Sequence, residues 1–492
     1  MSEVDNSPSA LNRRVFIKGL GYVSLGLIFS SALGGCESLL EQIKNRPVRR
    51  RLRAGSAEVD QTLAIYKDAV AQMRALPAAD PRSWSSQAAI HGTVSGGFNF
   101  CQHGSDHFFS WHRAYLLYFE RICQRLTGNK QFGLPYWNWN QDPAMHAAFT
   151  DPNSVLFHAR SNTSVGANAA FSNATLNTIL SDNNFFTFSS QLEGTPHNTA
   201  HVIVGGDMVS GGSPLDPIFW MHHCMVDYCW TKWNLELGRD NPNGQSWFST
   251  SWDHFVDGNG DAANVTAGST VLMPFLSYRY EPSRIGGLAP VADLTQLSNA
   301  ELKQIETRLR RGADIRFDIR KRVLLARGIK IPLAAPRSIT AQITPADLKT
   351  VIETTRVADK IFIRVNYAQV PPSNDFFVRV FINLPAADAS TTTDDIHYAG
   401  SFAFFGTHAA HAATALEHNE THRPKTDFLV NITDTLRTLQ RAGLLATETP
   451  LTVQLVAVPA GEQFMEADTE LILEQLELLV APVAVVPTSV PT

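Results

Sequence analysis

Two groups of three histidines have the residue type and the spacing to bind metal. They are His91, His103 and His112 early in the 492-residue chain, and His197, His201 and His223 later. Each group lies around segments in which apolar residues recur at helical spacing. Sites with three neutral imidazoles and no anionic ligand suit copper that cycles with O2 better than magnesium, calcium or di-iron chemistry. The pattern therefore predicts a paired copper site, in either an O2-activating enzyme or an O2 carrier.

The second group has the more regular spacing. His197 and His201 stand four residues apart, on one face of a helix that Thr195-Pro196 is expected to begin. His223 lies on another helix, predicted over residues 217–236. The four-residue spacing alone is a weak signal for metal. Three ligands from two helices would complete one site.

The first group depends on a longer helix, predicted over residues 105–126. His112 lies on that helix, His103 in the loop before it, and His91 at the end of a shorter helix. A lone histidine in such a position is more often structural, but two complementary groups favour metal ligation. With a further amphipathic helix predicted over residues 57–75, these segments are expected to pack as a bundle.

Composition limits the class of protein. The chain is 44% hydrophobic and too long for one ordinary core, so two domains and a targeting segment are expected. A formal net charge of -5 provides no basic field, which argues against a nucleic-acid partner.

The N-terminus has the pattern of a bacterial export signal. Residues 1–36 resemble a twin-arginine signal peptide, with Arg13-Arg14 before a modestly apolar stretch, and predict a periplasmic or extracellular protein. Leu33-Gly34-Gly35-Cys36 resembles a lipoprotein processing box, which would tether the protein to a membrane through lipidated Cys36. Cleavage nearby without lipid is the alternative. Residues 37–55 are interpreted as a basic linker that acts as a flexible tether.

The rest of the chain divides by the character of its apolar runs. Residues 56–299 are predicted to form the helical copper domain and residues 300–355 a helical connector. Residues 356–484 contain short β-branched and aromatic runs, such as residues 376–382, and predict a β-sandwich or barrel. Residues 485–492 are predicted to be a disordered tail. The expected fold class is mainly α, with a C-terminal β-domain.

Several strings resemble the tyrosinase, catechol oxidase and mollusc-type haemocyanin family, over roughly residues 60 to 280. They are Ile90-His91-Gly92, Cys101-Gln102-His103, Trp111-His112-Arg113, Pro196-His197-Asn198-Thr199-Ala200-His201 and Asp216-Pro217-Ile218-Phe219-Trp220-Met221-His222-His223. The resemblance implies a four-helix bundle that holds two copper ions per chain in a coupled binuclear site. It makes the first three histidines the ligands of one copper and the later three the ligands of the other.

The resemblance also bears on neighbours of the ligands. It selects His223 rather than His222, which would point about 100° away on the helix and pack beside the site. His107 has no family counterpart and is interpreted as a surface residue or a neighbour of the ligands. Cys101, two residues before His103, is expected to form a thioether bond to that imidazole, with a buried free thiol as the alternative.

Two further pairs are given roles by the resemblance or by their position. Glu193 and Asn198 resemble the arrangement that holds a water for deprotonating monophenols. Interaction with a helix dipole is the alternative for Glu193. Arg113 and Asp227 could form a buried ion pair between the two halves of the site, or make two independent hydrogen bonds.

The implied activity is the oxidation of small phenols with O2 as co-substrate. Monophenols would be ortho-hydroxylated and o-diphenols oxidised to o-quinones through a side-on peroxo dicopper intermediate. The alternatives are a catechol oxidase without monophenolase activity, haemocyanin-like reversible O2 binding, and a zinc hydrolase. A copper-loading helper protein is a conceivable partner, and the oligomeric state stays open.

The β-domain resembles one that covers the copper site in larger family members. Phe404 or Phe405 would then shield the pocket and make the enzyme latent, with packing in the β-core as the alternative. A histidine-rich segment follows, which either acquires metal or is a solvated loop: His408, His411, His418 and His422.

Overall fold

The computed structural model describes residues 45–95, 97–239, 241–242, 245–271, 273–289, 313–314, 321–332, 339–343, 359–369, 376–403, 427–445, 451–459, 470–482 and 486–487. A helical domain precedes a domain of two β-sheets. The helices of the first domain are α1 (Ala57–Ala75), α2 (Trp84–His91), α3 (Phe108–Thr127), α4 (Ala147–Thr150), α5 (Asn173–Ser181), α6 (Phe185–Leu192), α7 (Asn198–Val204), α8 (Ile218–Thr231), α9 (Gln245–Ser249), α10 (Ala267–Thr270) and α11 (Met273–Leu276). Its short strands are β1 (Val48–Arg49), β2 (Gly92–Thr93), β3 (Gly97–Phe98), β4 (Ser251–Val256), β5 (Ala262–Thr266) and β6 (Arg279–Tyr280).

Helix α3 lies at the centre of the helical domain. All its residues from Phe108 to Glu120 are buried, and both α1 and α8 pack against it. Phe119 stacks on Trp220 of α8 with ring centroids 3.4 Å apart. Gly128 ends α3 in the left-handed conformation (φ 68°) that favours glycine.

The observed helices follow the apolar periodicity of the sequence. Helix α1 has the bounds predicted for it, and Ser56 caps its N-terminus by accepting a hydrogen bond from the Val59 N–H. Helix α3 begins three residues later than predicted. Helix α8 ends at Thr231, and a wider helical turn over Lys232–Glu236 forms the last five residues of the segment predicted as this helix.

The prediction that residues 37–55 form a flexible linker is wrong where the structure describes them, from residue 45 onward. Strand β1 pairs in parallel with β6 at the far end of the domain. Arg49 is fully buried there and forms ion pairs with Glu120 (2.9 Å) and Asp227 (3.1 Å). Arginines look like solvated charges in a sequence, but these carboxylates come from distant helices and neutralise Arg49 inside the core.

The β-domain contains two four-stranded antiparallel sheets. Its elements are β7 (Ala313–Asp314), β8 (Lys321–Pro332), β9 (Ile339–Ile343), β10 (Asp359–Gln369), β11 (Phe376–Ile382), β12 (Tyr398–Ala403), β13 (Asp427–Asn431), α12 (Thr433–Arg441), β14 (Leu451–Pro459), β15 (Glu470–Pro482) and β16 (Val486–Pro487). The strand orders are β13-β10-β15-β8 and β12-β11-β14-β9, and alternate residues of both sheets form one hydrophobic core. In the described strands the two sheets stay separate and do not close into a single barrel.

The prediction of a helical connector over residues 300–355 is wrong for the described part of that range. Strands β8 and β9 lie there, and each belongs to a different one of the two sheets. In β8, Ile329 and Ile331 point into the shared core while Lys330 between them is exposed. This alternation is typical of a strand, and the charged residues around it concealed the pattern.

The two domains meet beside the second histidine group. Helix α7 and the turn before it contact β12, and helix α6 contacts β13. Val202 of α7 packs in one buried cluster with Phe377 and Ala403 of the β-domain. The β-domain therefore covers the segment that carries His197 and His201.

Several predictions fall on residues outside the described ranges. These are the export signal with Cys36, the candidate shields Phe404 and Phe405, and the histidine-rich segment from His408 to His422. Among the described helices, none has the length and apolar character needed to cross a membrane.

Candidate metal centre

The first histidine group converges from three separate elements. His91 ends α2, His103 lies in the loop before α3, and His112 lies on α3. Their ring centroids are 5.0 to 5.8 Å apart, and one nitrogen from each can be chosen so that all three lie within 4.8 Å of one another. All three side chains are buried, so a metal held there would be shielded from bulk water.

The second group forms an adjoining cluster. Ring centroids of His197, His201 and His223 are 4.6 to 5.6 Å apart, and all three side chains are buried. His223 stacks on His112 of the first group at 4.4 Å, with the two rings nearly parallel. The two clusters are therefore direct neighbours, as a pair of cooperating metals requires.

Backbone carbonyls fix which nitrogen of several imidazoles can bind a metal. The Nδ1 atoms of His91, His112 and His201 lie 2.7 to 2.8 Å from the carbonyl oxygens of Gly211, Phe108 and Met208. Because a carbonyl oxygen only accepts, each Nδ1 must carry the proton, and each Nε2 then carries the lone pair. His197 follows the same rule, since its Nδ1 donates to Asn198 Oδ1 at 2.8 Å.

Burial keeps these imidazoles neutral. Desolvation lowers the pKa of His91 to about 4 and that of His197 to about 3, although hydrogen bonds partly oppose it. It also lowers the pKa of His103, His112 and His223 well below the usual value. The neutral form is the one that ligates a metal. The Nε2 atom of His112 is buried and has no hydrogen-bond partner among the described residues, which fits a position for a metal ion.

His222 lies closer to the second cluster than the sequence suggests. Its ring stacks on His197 at 5.1 Å, and its geometry alone would allow a fourth ligand. However, the Trp139 indole N–H donates to His222 Nδ1 at 3.1 Å. Indole nitrogen is a donor only, so the proton of neutral His222 must be on Nε2, which then lacks the lone pair that ligation needs. The tautomer favours His223 as the ligand.

The loop that holds His103 is packed from several sides. Phe98 stacks on the His103 ring at 4.4 Å, and Cys101 is buried as a free thiol whose pKa is raised by burial. His107 is buried rather than on the surface, and its ring stacks on Trp247 at 5.6 Å. The thioether between Cys101 and His103 stays a prediction.

Glu193 and Asn198 both lie at the edge of the second cluster. A Glu193 carboxylate oxygen accepts the Gly104 N–H at 2.6 Å, which ties it to the His103 loop. The Asn198 amide is held at both ends, because its Oδ1 accepts from His197 and its Nδ2 donates to the Ala403 carbonyl of β12 at 3.1 Å. The sequence had no signal for this last contact, since its acceptor is backbone from the other domain.

The predicted ion pair between Arg113 and Asp227 is confirmed. The two side chains are buried and 2.5 Å apart, and Asp227 also accepts from Arg49, Tyr278 and Tyr280. No pattern in the sequence indicated that Arg49 would join this network. Asp227 lies one helical turn after His223, so the network fixes the helix that bears this ligand candidate.

A second buried ion pair, which the sequence did not predict, lies at the start of α8. Arg160 binds both carboxylate oxygens of Asp216 at 2.6 and 2.7 Å, and Asp216 in turn accepts the Ile218 N–H. Asp216 stands immediately before a proline at the beginning of α8, which indicated a helix start but not its partner. The two parallel hydrogen bonds from the Arg160 guanidinium fix the orientation of the Asp216 carboxylate at the start of α8.

Comparison with known proteins adds an independent line of observation. Residues 81–170 and 144–236 match the family model described as the common central domain of tyrosinase. The chain is 31% identical to tyrosinase HcTyr1 of Hahella sp. (strain CCB-MM4) over 290 residues, covering 46% of this chain and 61% of that protein. It is 30% identical to the chloroplastic (+)-larreatricin hydroxylase of Larrea tridentata, covering 49% of this chain and 50% of that protein. The chain thus spans between half and two thirds of the length of these relatives.

Two solved structures share the fold over most of the chain. Latent apple tyrosinase aligns with a TM-score of 0.58 and 20% identity, covering 89% of this chain and 97% of that one. A recombinant latent aurone synthase, described as a polyphenol oxidase, aligns with a TM-score of 0.61 and 21% identity, covering 89% and 90%. The likeness therefore extends beyond the helical domain into the β-sheets.

Proposed function

We propose that this chain, as a member of the tyrosinase and polyphenol oxidase family, is a copper-dependent oxidase of phenols. The observation that carries the proposal is the pair of adjoining buried histidine clusters, with imidazole tautomers fixed by backbone carbonyls. His91, His103 and His112 would hold one copper, and His197, His201 and His223 the other. Bound copper would supply the redox chemistry by which O2 oxidises the phenol.

The chain's own residues would provide a dry, rigid and aromatic surrounding for that chemistry. Phe108 lies 4.9 Å from the rings of both His112 and His197, and Phe219 lies 4.2 Å from the ring of His223. These side chains restrict the imidazoles to one orientation and keep water away from them.

We further propose that the enzyme acts on monophenols as well as o-diphenols. A monophenol has a pKa near 10, so its docking as phenolate benefits from a base. The Glu193 carboxylate accepts a hydrogen bond from Gly104 in the loop that carries His103, and Asn198 adjoins the ligand candidate His197, so both side chains lie beside the histidine clusters. A water held between these two side chains would remove the phenolic proton.

We also propose that the β-domain makes the enzyme latent. Supporting this, β12 lies against the turn that precedes α7, and the chain continues from Ala403 directly into Phe404 and Phe405. Both solved structures named above are described as latent, and they share the fold over both domains.

The test combines metal analysis with two substrates. Copper-loaded protein, before and after treatment with SDS or protease, is incubated with L-tyrosine and with L-DOPA while quinone formation is followed optically. The proposal expects two coppers per chain and quinone from both substrates. Quinone from L-DOPA alone would indicate a catechol oxidase. Reversible O2 binding without quinone would indicate a carrier, and two zinc ions without copper would contradict the proposal.

A further inference from the structure

The β-domain docks onto the helical domain through the edge of one sheet. Among the described strands, β12 is the outer strand in the order β12-β11-β14-β9, so one row of its backbone groups has no partner strand among them. Two of these groups, the carbonyls of Ser401 and Ala403, accept hydrogen bonds from the Thr195 hydroxyl and the Asn198 amide. Alternate residues of a strand present their carbonyls in the same direction, which explains why residues 401 and 403 act together.

Apolar packing surrounds these two hydrogen bonds. Val202 joins Phe377, Phe381 and Ala403 in one buried cluster. On the other side, the Phe428 ring lies so close to Gly194 that a β-carbon at this position would be 3.1 Å from it. Phe428 also stacks on Phe402 of β12 at 5.1 Å. The hydrogen bonds are therefore shielded from water, which makes each one worth more than an exposed bond.

The docked strand occupies a group that the proposed chemistry needs. Asn198 Oδ1 accepts from His197, and one of the two N–H groups of Asn198 Nδ2 donates to the Ala403 carbonyl, which fixes the orientation of the amide. We propose that the edge of β12 is a selectivity latch: it takes one of the two Asn198 N–H groups and holds the amide in one orientation, which weakens its hold on the water that would deprotonate monophenols. The inference rests on the proposed function, and it concerns how the two activities are regulated relative to each other.

The consequence differs for the two substrates. In the docked state Asn198 is oriented by β12, so the suppression should be stronger for monophenols, which depend on the base, than for o-diphenols. Release of the β-domain frees the amide N–H and should raise the monophenol rate by a larger factor than the diphenol rate. Release of a latch therefore changes the ratio of the monophenol rate to the diphenol rate. Release of a simple steric cover would raise both rates by the same factor for substrates of equal size.

The experiment weakens the latch from both sides without touching residues of the proposed catalytic site. Thr195→Val removes the donor to Ser401, and Phe428→Ala removes the apolar contact with Gly194. Losing one buried hydrogen bond corresponds to roughly a two- to tenfold shift in the docking equilibrium. Both variants of the full-length, copper-loaded chain should reach half-maximal activation at a lower SDS concentration than the wild type. Without SDS, the ratio of the monophenol rate to the diphenol rate should be two- to tenfold higher in each variant than in the wild type.

Two controls and one structural measurement accompany the variants. Thr195→Ser keeps the hydroxyl and should behave like the wild type. Thr199→Val makes the same chemical change one turn later, where the buried hydroxyl has no hydrogen-bond partner among the described residues, and should leave the SDS midpoint unchanged. Hydrogen exchange of a peptide covering residues 398–403 should become faster in Thr195→Val and in Phe428→Ala, independently of any activity.

The outcomes separate the latch from the function it regulates. Unchanged hydrogen exchange and an unchanged SDS midpoint in both variants would overturn the latch. So would a rate ratio that stays constant when SDS or protease activates the wild type. If no form of the protein oxidises either substrate while hydrogen exchange still accelerates, the docking contact stands and the proposed function, with the latch role, is wrong.

Discussion

At the scale of single residues, the two ring nitrogens of His91, His112, His197 and His201 have different tasks. Nδ1 donates to a carbonyl or amide oxygen, and Nε2 then carries the lone pair that can bind a metal. His222 has the opposite arrangement, because Trp139 donates to its Nδ1. The Nε2 atom of His222 therefore lacks the lone pair with which it could bind a metal.

This difference predicts unequal effects of substituting His222 and His223. His223→Asn should lose about one of the two coppers and nearly all oxidase activity, since removing a ligand leaves an incomplete site. His222→Asn should keep both coppers and a folded second cluster. Metal analysis of dialysed protein checks both variants side by side. Equal copper loss in the two variants would mean that His222 is a ligand.

The role of Glu193 is tested by a substitution that keeps its hydrogen bond. Glu193→Gln preserves an acceptor for the Gly104 N–H but removes the negative charge. Monophenol turnover should fall by a factor on the order of 10² to 10⁴, the range for general-base catalysis, while diphenol turnover changes much less. Steady-state rates with L-tyrosine and L-DOPA provide the measurement. An equal loss on both substrates would exclude the role as base.

At the scale of elements, the ligand-bearing helices are fixed by ionic groups that lie inside the core. Strand β1 brings Arg49 to Glu120 of α3 and Asp227 of α8, so a segment before the first helix joins the two helices that carry His112 and His223. Burial raises the pKa of Glu120, and Arg49 opposes that rise. Such a network secures geometry more than it adds net stability.

Replacing Arg49 with an uncharged residue should therefore lower the free energy of unfolding. Arg49→Met leaves the Glu120 carboxylate buried without a cation, and the free energy of unfolding should fall by about 3–5 kcal/mol. Arg53→Met is the matched control, because the Arg53 side chain is 39% exposed where it pairs with Glu281. It should cost less than about 1 kcal/mol. Urea denaturation of both variants checks this, and equal costs would mean that β1 is not part of the core.

At the scale of the whole molecule, the β-domain begins earlier than its sequence suggests. Strands β8 and β9 each complete one of the two sheets, so a chain cut at residue 355 would leave both strands behind. A cut between the domains has to lie before β7, which begins at Ala313. The segment after residue 289 offers that place.

A chain that ends at residue 300 should therefore act as a test of shielding. Removing the β-domain uncovers Val202 and the segment around His197, so kcat/KM for a bulky phenol should rise by roughly tenfold or more over the untreated full-length enzyme. Circular dichroism and copper content serve as controls for an intact helical domain. If the shortened chain is folded and loaded with copper yet no faster, the β-domain does not shield the site.

The sequence by itself determined the candidate metal-binding histidines and the local elements. Histidine spacing, helix periodicity and proline-marked helix starts depend on short-range geometry, so the two histidine groups and helices such as α1 could be predicted from it. The tertiary structure was needed to identify hydrogen-bond and ion-pair partners that come from distant segments of the chain. The sequence indicates a solvated charge at Arg49, but the structure pairs this arginine with Glu120 and Asp227 in the core. The sequence also indicates a helix cap at Thr195, but the Thr195 hydroxyl donates to the Ser401 carbonyl of the β-domain. Burial and backbone acceptors arise only when the chain has folded, and they decide which nitrogen can bind copper and which side chains the β-domain holds.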